Sequence, residues 1–204
     1  MSIRTNYEKW YSTEDYYWGL EPGDFLEELI QLCPPESGKK VLDIGCGEGK
    51  DAVYMAQMGY DVSAFDLTEN GIRKTIKLAN AKNVSINAYV DDINTFDIRE
   101  QFDIVYSTGT IQYLFEQNKK EFFEKINRIT QKNGVVYFNV FVEKTFLELP
   151  PDWDLEEKMW KSGELFTFFP DWKTERIDEV IFEDFSGGIP HFHCMDTIIC
   201  RKMI

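Results

Sequence analysis

Three glycines and a carboxylate stand together where an apolar run, Lys40 to Ile44, gives way to a polar segment. Asp43 lies near the end of that run, and the glycines follow as Gly45, Gly47 and Gly49. Glycine lets a backbone turn tightly and approach a ligand closely. At the carboxyl end of a strand in an open parallel sheet, such a turn predicts a ligand-binding site.

Two further acidic positions follow the next predicted strands. Asp66 comes directly after a short apolar strand, and a carboxylate there can accept two hydrogen bonds from a ribose diol. After the third strand, the carboxylate of Asp92 can accept from an adenine amine while the backbone NH of Ile93 meets a ring nitrogen. We interpret the neighbouring Asp91 as a solvated loop acid. Together these positions predict an adenosine-containing ligand.

The spacing of the glycines separates two ligand classes. The dinucleotide fingerprint is GxGxxG with a pyrophosphate on a helix N-terminus, whereas Gly49 follows Gly47 by two positions rather than three. Asp43 would oppose a pyrophosphate but suits a cationic amine. S-adenosylmethionine carries an ammonium, a sulfonium and a ribose diol but no phosphate, so both features favour it. A nicotinamide-dependent oxidoreductase stays the alternative, because it shares the βαβ unit and Asp66.

The chain from Val41 to Val142 resembles class I S-adenosylmethionine-dependent methyltransferases. Asp43 to Gly47, reading DIGCG, matches their first motif, and Phe102 to Val105 resembles their fourth-strand motif. The resemblance implies S-adenosylmethionine as cofactor, S-adenosylhomocysteine as product, and the following cofactor-binding residues: Asp43, Gly45, Cys46, Gly47, Asp66, Leu67, Asp92, Ile93, Ser107 and Thr108. The last two would meet the methionyl part through their backbone.

A narrower resemblance is to the tellurite-resistance methyltransferases, which methylate small oxyanions. It rests on Gly59 to Val62, Asp92 to Asn94, Ser107 with Thr108, and Pro170 to Trp172. The predicted hairpin turn of this chain is shorter and less basic than that family's. We therefore carry over a small-molecule methyltransferase but not the oxyanion substrate.

The order of predicted elements gives the fold. Strands alternate with helices up to residue 142, which predicts βαβ units and a parallel sheet. We expect an α/β, Rossmann-like, mostly parallel seven-stranded sheet with helices on both faces and a C-terminal antiparallel hairpin. We expect a single domain over 1–204, with a helical cap at 1–35, an irregular or helical insertion at 143–176 that shapes the acceptor site, and hairpin strands at 180–185 and 191–201 joined at Ser186 to Gly188.

Candidate residues for the acceptor side come from two segments. His191 and His193 are the two histidines of the chain, and their spacing places them on one face of a strand. Either can take a proton near neutral pH, so both are candidate catalytic bases, with an ordinary exposed turn as the alternative. In the aromatic N-terminus, Tyr11, Tyr16 and Trp18 are candidates for a lid, because aromatic faces suit a sulfonium. Packing is the alternative there.

Composition limits the partners. With 22 basic and 36 acidic residues the net charge is −14, which opposes a phosphate backbone and also an anionic substrate, so nucleic acid is not expected. No apolar run is long enough for a membrane span. None of the four cysteines forms a CxxC pair, so we expect no metal site and a reducing, cytoplasmic location. A non-catalytic cofactor-binding module stays open, as does a basic protein substrate, and the sequence leaves the oligomeric state open.

Overall fold

The computed structural model describes residues 3–149, 159–185 and 188–204. Its helices are α1 (Ile3–Trp10), α2 (Phe25–Leu32), α3 (Lys50–Gln57), α4 (Glu69–Ala81) and α5 (Lys119–Ile129). Its strands are β1 (Lys40–Ile44), β2 (Asp61–Asp66), β3 (Asn87–Val90), β4 (Phe102–Ser107), β5 (Thr130–Glu143), β6 (Trp160–Lys161), β7 (Lys173–Asp184) and β8 (His191–Arg201). Among these residues no helix combines the length and apolar character needed to cross a bilayer.

The sheet confirms the predicted Rossmann-like topology. Its strand order is β3-β2-β1-β4-β5-β8-β7, and the two-residue β6 pairs with the end of β5 as an eighth strand. Strands β1 to β5 pair in parallel, whereas β8 runs antiparallel to both β5 and β7. The strand order reverses between β1 and β4, and in open α/β sheets ligands bind at the crevice that this reversal creates.

Helices cover both faces of the sheet. On one face, Leu26 of α2 and Met55 of α3 share an apolar cluster with residues of β1, β2, β4 and β5. On the other face, α5 packs Phe122 and Ile126 against Phe138 of β5. The interior strands are apolar nearly throughout because both of their faces are covered.

The start of α4 is fixed by a capping residue. Thr68 precedes the helix in an extended conformation, and its side-chain oxygen accepts a hydrogen bond from the backbone NH of Gly71 at 3.2 Å. Such an N-cap satisfies one of the free amide groups at a helix start. The cap fixes the direction in which the chain leaves β2, next to Asp66.

The C-terminal third differs from the expectation in extent. Strand β7 begins at Lys173 rather than at Val180, so part of the segment expected to be irregular or helical is strand. Along this strand most side chains are exposed or half-buried, and the sequence therefore lacks a clear apolar alternation. Its extent is set by pairing along β8. Trp153 of that segment and the predicted turn residues Ser186 and Gly187 lie outside the described residues.

Candidate functional site

A cavity of about 1110 Å³ opens at the carboxyl ends of β1, β2, β3 and β4. The chain leaves each of these strands through a loop that forms part of the wall, and the first residues of α1 close another side. Of the residues expected to bind a cofactor, the following line this one cavity: Asp43, Gly45, Cys46, Gly47, Asp66, Leu67, Asp92, Ile93 and Thr108. The fold therefore brings together residues from four loops that are far apart in the sequence.

The glycine turn after β1 requires glycine for its backbone. Gly45 and Gly49 have φ angles of +75° and +86°, a region that other residues rarely adopt. A Cβ atom on Gly45 would also lie 2.2 Å from Oγ1 of Thr110. The backbone NH groups of Gly45 and Cys46 both donate to the carbonyl of Phe65, at 2.8 and 3.0 Å, which ties the turn to the end of β2.

Asp66 joins the glycine turn to the start of α4. Its Oδ2 accepts from the backbone NH of Gly47 at 3.0 Å, and its Oδ1 accepts from the NH and the hydroxyl of Thr68 at 2.9 and 2.6 Å. Burial raises the pKa of Asp66, and these hydrogen bonds partly oppose that rise. A carboxylate offers about four acceptor sites, so the side chain keeps acceptor capacity toward the cavity it lines.

Asp43 is a deeply buried carboxylate of the wall. It is 3% exposed and accepts a hydrogen bond from the Tyr106 hydroxyl at 3.0 Å. Burial raises the pKa of Asp43 well above its usual range, the nearby charges of Asp51 and Asp66 raise it further, and the Tyr106 hydrogen bond lowers it. A cation bound beside Asp43 would relieve this unfavourable electrostatic environment.

The wall as a whole is acidic. Its basic side chains are Arg4 and Lys50. Its carboxylates are Asp43, Glu48, Asp51, Asp66, Asp91, Asp92 and Asp184. This charge distribution favours a cationic ligand and opposes a pyrophosphate.

The loop after β3 is held in place by its own polar side chains. Asp92 Oδ1 accepts from the backbone NH and the side-chain amide of Asn94 at 2.8 and 3.2 Å. Asn94 Oδ1 in turn accepts from the backbone NH of Phe115 at 2.8 Å, which fixes the loop against the one after β4. Asp91, which the sequence predicts to be a solvated loop acid, also lines the cavity, as does the largely buried Ile93.

At the end of β4, only one of the two residues expected to bind the cofactor lines the cavity. Thr108 lines the cavity, whereas Ser107 is fully buried and its hydroxyl donates to the carbonyl of Ile44 at 2.8 Å. Ser107 therefore ties the ends of β1 and β4 together. The NH of Gly109 donates to Oδ1 of Asn139 at 2.8 Å, which places a β5 side chain in the same wall.

The aromatic N-terminus lies over the glycine turn. Tyr11 and Trp18 line the cavity, and the indole NH of Trp18 donates to the Tyr11 hydroxyl at 2.9 Å. A Cβ atom on Gly47 would lie 3.0 Å from that hydroxyl, so Tyr11 sits directly on the turn. Tyr16 is directed elsewhere: it packs against Val53 and neighbouring apolar residues. We name residues 3–20, which include α1, the aromatic cap.

Two contacts fasten the start of the aromatic cap to the rest of the molecule. The carboxylate of Glu8 accepts from the backbone NH groups of Glu69 and Asn70 at 2.7 and 3.1 Å, at the first residues of α4. The hydroxyls of Tyr7 and Tyr113 lie 3.0 Å apart and bridge α1 to the loop after β4. A carboxylate at a helix N-terminus is electrostatically favourable, so α1 has a defined docking point.

A buried ion pair fastens the other end of the cap. Lys74 Nζ lies 2.6 Å from Glu48 Oε1, and both side chains are only 2% exposed. Lys74 Nζ also donates to the carbonyl of Asp15 at 2.5 Å, and the NH of Trp18 donates to Glu48 Oε2 at 3.3 Å. The glycine turn, α4 and the cap are therefore connected through one desolvated pair of charges.

The two histidines lie at the far end of the cavity. His193 is buried and lines it, whereas His191 does not, but their Nε2 atoms are 2.9 Å apart. Asp184, at the end of β7, pairs directly across from His191 and brings its Oδ2 to 3.4 Å from His193 Nε2. The spacing of cysteines gave no reason to expect a metal site, yet these three side chains gather their ligand atoms within 4.8 Å of one another.

The segment expected to shape the acceptor site lies beside the main cavity. None of the described residues between 143 and 176 lines that cavity. Several of them, including Lys144, Thr145 and Leu147, line a neighbouring cavity of about 220 Å³. His193 belongs to the walls of both cavities.

Sequence reasoning missed part of the wall. The following lining residues were not expected there: Tyr7, Glu48, Lys50, Asp51, Asn94, Thr110, Gln112, Tyr113, Asn139, Phe141, Phe182, Asp184 and Met195. Glu48 and Asp51 carried a usable signal, because they adjoin the glycine turn. The missed lining residues on β5, β7 and β8 had no such signal in the sequence, because strand pairing decides whether they reach the cavity.

A family model described as "Tellurite resistance protein TehB" matches residues 8–185. The probable S-adenosyl-L-methionine-dependent methyltransferase TehB of Haemophilus influenzae (strain 10810) is 28% identical over 173 residues, which cover 76% of this chain and 58% of that protein. The chain thus spans less than two thirds of the length of this curated relative.

Solved structures share the fold. TehB from Haemophilus influenzae has a TM-score of 0.79 at 22% identity, covering 98% of this chain and 66% of that chain. Haemonchus contortus phosphoethanolamine N-methyltransferase 2, solved in complex with S-adenosyl-L-methionine, has a TM-score of 0.69 at 14% identity, covering 98% of this chain and 56% of that one. Because the family model matches well over half of the residues, this chain belongs to the TehB family.

Proposed function

We propose that the chain transfers a methyl group from S-adenosylmethionine to a small-molecule acceptor and releases S-adenosylhomocysteine. The observation that carries this proposal is the acid-lined cavity at the glycine turn, with Asp43 buried beside Asp51 and Asp66. Such a wall suits a ligand that carries positive charge and a ribose but no phosphate. Membership of the TehB family supports the same reaction class.

The residues present fit this cofactor. Asp66 would accept from the ribose hydroxyls, Asp43 would face the ammonium end, and Asp92 with Ile93 would meet the adenine. Gly45 to Gly47 would allow the cofactor to approach the backbone closely, and Leu67 and Thr108 complete the wall. Ser107 would contribute indirectly, because its hydroxyl holds the ends of β1 and β4 together. When bound, the cofactor supplies a methyl carbon activated by a sulfonium.

The protein's own contribution is binding, orientation and exclusion of water. The aromatic cap supports the exclusion of water, since Tyr11 and Trp18 lie directly over the glycine turn. We assign His193 and its neighbour His191 to the acceptor side, where they contact the acceptor or take its proton. We further propose that residues 1–204 act as one domain. In it, residues 1–35 form the helical cap, of which the aromatic cap is a part, and residues 143–176 shape the acceptor site from the neighbouring cavity.

The alternatives differ in ligand and turnover. A nicotinamide-dependent oxidoreductase would place a pyrophosphate against Asp43 and the other wall carboxylates, which is electrostatically unfavourable. A non-catalytic module would bind S-adenosylmethionine without turnover. The net charge of −14 opposes nucleic acid as acceptor. We place the reaction in the cytoplasm, where thiols such as the buried Cys33, Cys194 and Cys200 stay reduced.

The experiment is calorimetric titration of the purified protein with S-adenosylmethionine and, separately, with NAD. We expect micromolar-range binding of S-adenosylmethionine only, with a large loss in Asp66→Ala and a smaller one in Asp66→Asn, which keeps one acceptor oxygen. Asp61→Asn is the matched control, because Asp61 is exposed at the opposite end of the same strand. Preference for NAD would refute the proposal. If the protein binds S-adenosylmethionine but forms no S-adenosylhomocysteine in the presence of thiols, amines, phenols or oxyanions, the non-catalytic module would be favoured.

A further inference from the structure

Three potential metal ligands meet at the end of the terminal hairpin where β7 leads into β8. Asp184 pairs across from His191 in the antiparallel register, and His193 follows two residues later on the same face of β8. We propose that Asp184, His191 and His193 bind a divalent transition-metal ion, Zn²⁺, at the end of the cavity away from the glycine turn.

The distances between the ligand atoms fit one small ion. The two Nε2 atoms are 2.9 Å apart, and Asp184 Oδ2 lies 3.4 Å from His193 Nε2 and 3.9 Å from His191 Nε2. Tetrahedral Zn²⁺ with bonds of ~2.0–2.1 Å places its ligand atoms about 3.3 Å apart. The three observed separations bracket that value. The Asp184 side chain is 38% exposed, so it has room to close the longest of them.

Hydrogen bonds behind His191 and Asp184 orient these two ligands for coordination. His191 Nδ1 lies 2.7 Å from the carbonyl of Ile189. A carbonyl only accepts, so Nδ1 carries the proton, and the Nε2 of a neutral His191 carries a lone pair. The NH of Phe185 donates to Asp184 Oδ1 at 2.7 Å, while Oδ2 faces the imidazoles. Metal-ligating histidines and carboxylates have outer partners of this kind.

The surroundings match an ion that retains an open coordination position. His193 is 3% exposed and packs against the rings of Phe141 and Phe182, with centroids 4.7 and 5.7 Å away. Asp184 and His193 line the cavity itself. Three protein ligands and a fourth position toward a cavity are the arrangement of catalytic zinc sites rather than structural ones.

The ion would hold the methyl acceptor, a role that rests on the proposed function. An acceptor thiol or hydroxyl would take the fourth position through its sulfur or oxygen. Its proton would leave to solvent as the bond to the metal forms, because a bound divalent cation strongly lowers the pKa of its ligand. The positive charge of the ion would also offset the repulsion between the wall carboxylates and an anionic group of the acceptor. The two histidines would then act as ligands rather than as a free base.

The test is titration of the chelator-treated protein with Co²⁺, followed in the visible spectrum, and displacement by Zn²⁺. We expect a tetrahedral cobalt spectrum that saturates at a single ion per chain. His191→Gln and Asp184→Asn should each weaken binding by more than the ~10–100-fold seen for loss of an outer-shell partner. Glu183→Gln is the matched control, because it changes an exposed carboxylate at the neighbouring position of β7. Far-UV circular dichroism would establish that each variant is folded.

The outcomes separate the two proposals. A protein that binds S-adenosylmethionine but shows no saturable Co²⁺ or Zn²⁺ binding would overturn the metal site and leave the proposed function standing. Saturable metal binding that survives His191→Gln, His193→Gln and Asp184→Asn would also overturn it. A protein that binds Co²⁺ at these residues but fails to bind S-adenosylmethionine would refute the proposed function alone.

Discussion

Replacing Asp43 by Asn separates the electrostatics of the cavity from its shape. Asn keeps the acceptor for the Tyr106 hydroxyl, which lies 3.0 Å from Asp43 Oδ2, and removes only the charge. A hydrogen bond to a charged group is worth ~1.5–3 kcal/mol. The Kd for S-adenosylmethionine should therefore rise roughly 10- to 150-fold, measured by calorimetry.

The same substitution should not destabilise the ligand-free protein. Burial and the charges of Asp51 and Asp66 raise the pKa of Asp43 well above its unfolded value. The folded state therefore keeps a proton that the unfolded chain has lost, and stability falls as pH rises through the window between the two pKa values. Asn removes this penalty, so the melting temperature above that window should stay the same or increase.

The pH dependence of binding gives an independent check. A cationic ligand requires the ionised carboxylate, so wild-type affinity should increase as pH rises through the raised pKa of Asp43, with proton release on binding. Calorimetry in buffers of different ionisation enthalpy measures that release, and Asp43→Asn should abolish it. Unchanged affinity, or a parallel loss of affinity and of melting temperature, would refute this electrostatic reasoning.

The remaining predictions concern the turn and the aromatic cap. Gly45→Ala should lower stability through about 1–3 kcal/mol of left-handed backbone strain plus the clash with Thr110. Thr110→Ala should relieve only the part of the clash made by Oγ1 and Cγ2, because the Cβ of residue 110 stays 2.7 Å from the added methyl group, as denaturant melts would show. Lys74→Met should cost ~3–5 kcal/mol, because it leaves Glu48 charged and buried, and Glu48→Gln in the same chain should recover most of that loss. Glu8→Ala should weaken the docking of α1 by about 1 kcal/mol and increase the rate of amide hydrogen exchange in α1.

The predictions for Lys74 and Gly45 each have a comparison in the same molecule. Lys77 lies on the same helix as Lys74 and forms an ion pair with Glu14 of the aromatic cap, but both side chains are more than half exposed, so Lys77→Met should change stability little. Equal effects of Lys74→Met and Lys77→Met would contradict the role given to burial. Full recovery of Gly45→Ala by Thr110→Ala would show that the left-handed backbone contributes nothing.

Local patterns in the sequence predicted the βαβ core and its glycine turn. The apolar run of β1, the glycines that follow it and the carboxylates Asp43 and Asp66 each depend on a few neighbouring residues. Parallel strands end at one edge of a sheet, so the loops that follow them had to converge there. That is why residues widely separated in the sequence could be assigned to one cavity.

Only the tertiary structure decided which side chains meet across longer separations. Tyr11 faces the cavity while Tyr16 packs against α3 and α4, a difference that the aromatic composition of the N-terminus does not encode. Asp184 meets His191 and His193 because of the register between β7 and β8, and β7 itself carries no clear alternation. The sequence by itself determined the features that depend on local backbone preference and strand order. The cap, the buried ion pair and the hairpin cluster depend on packing and strand register, which no local pattern contains.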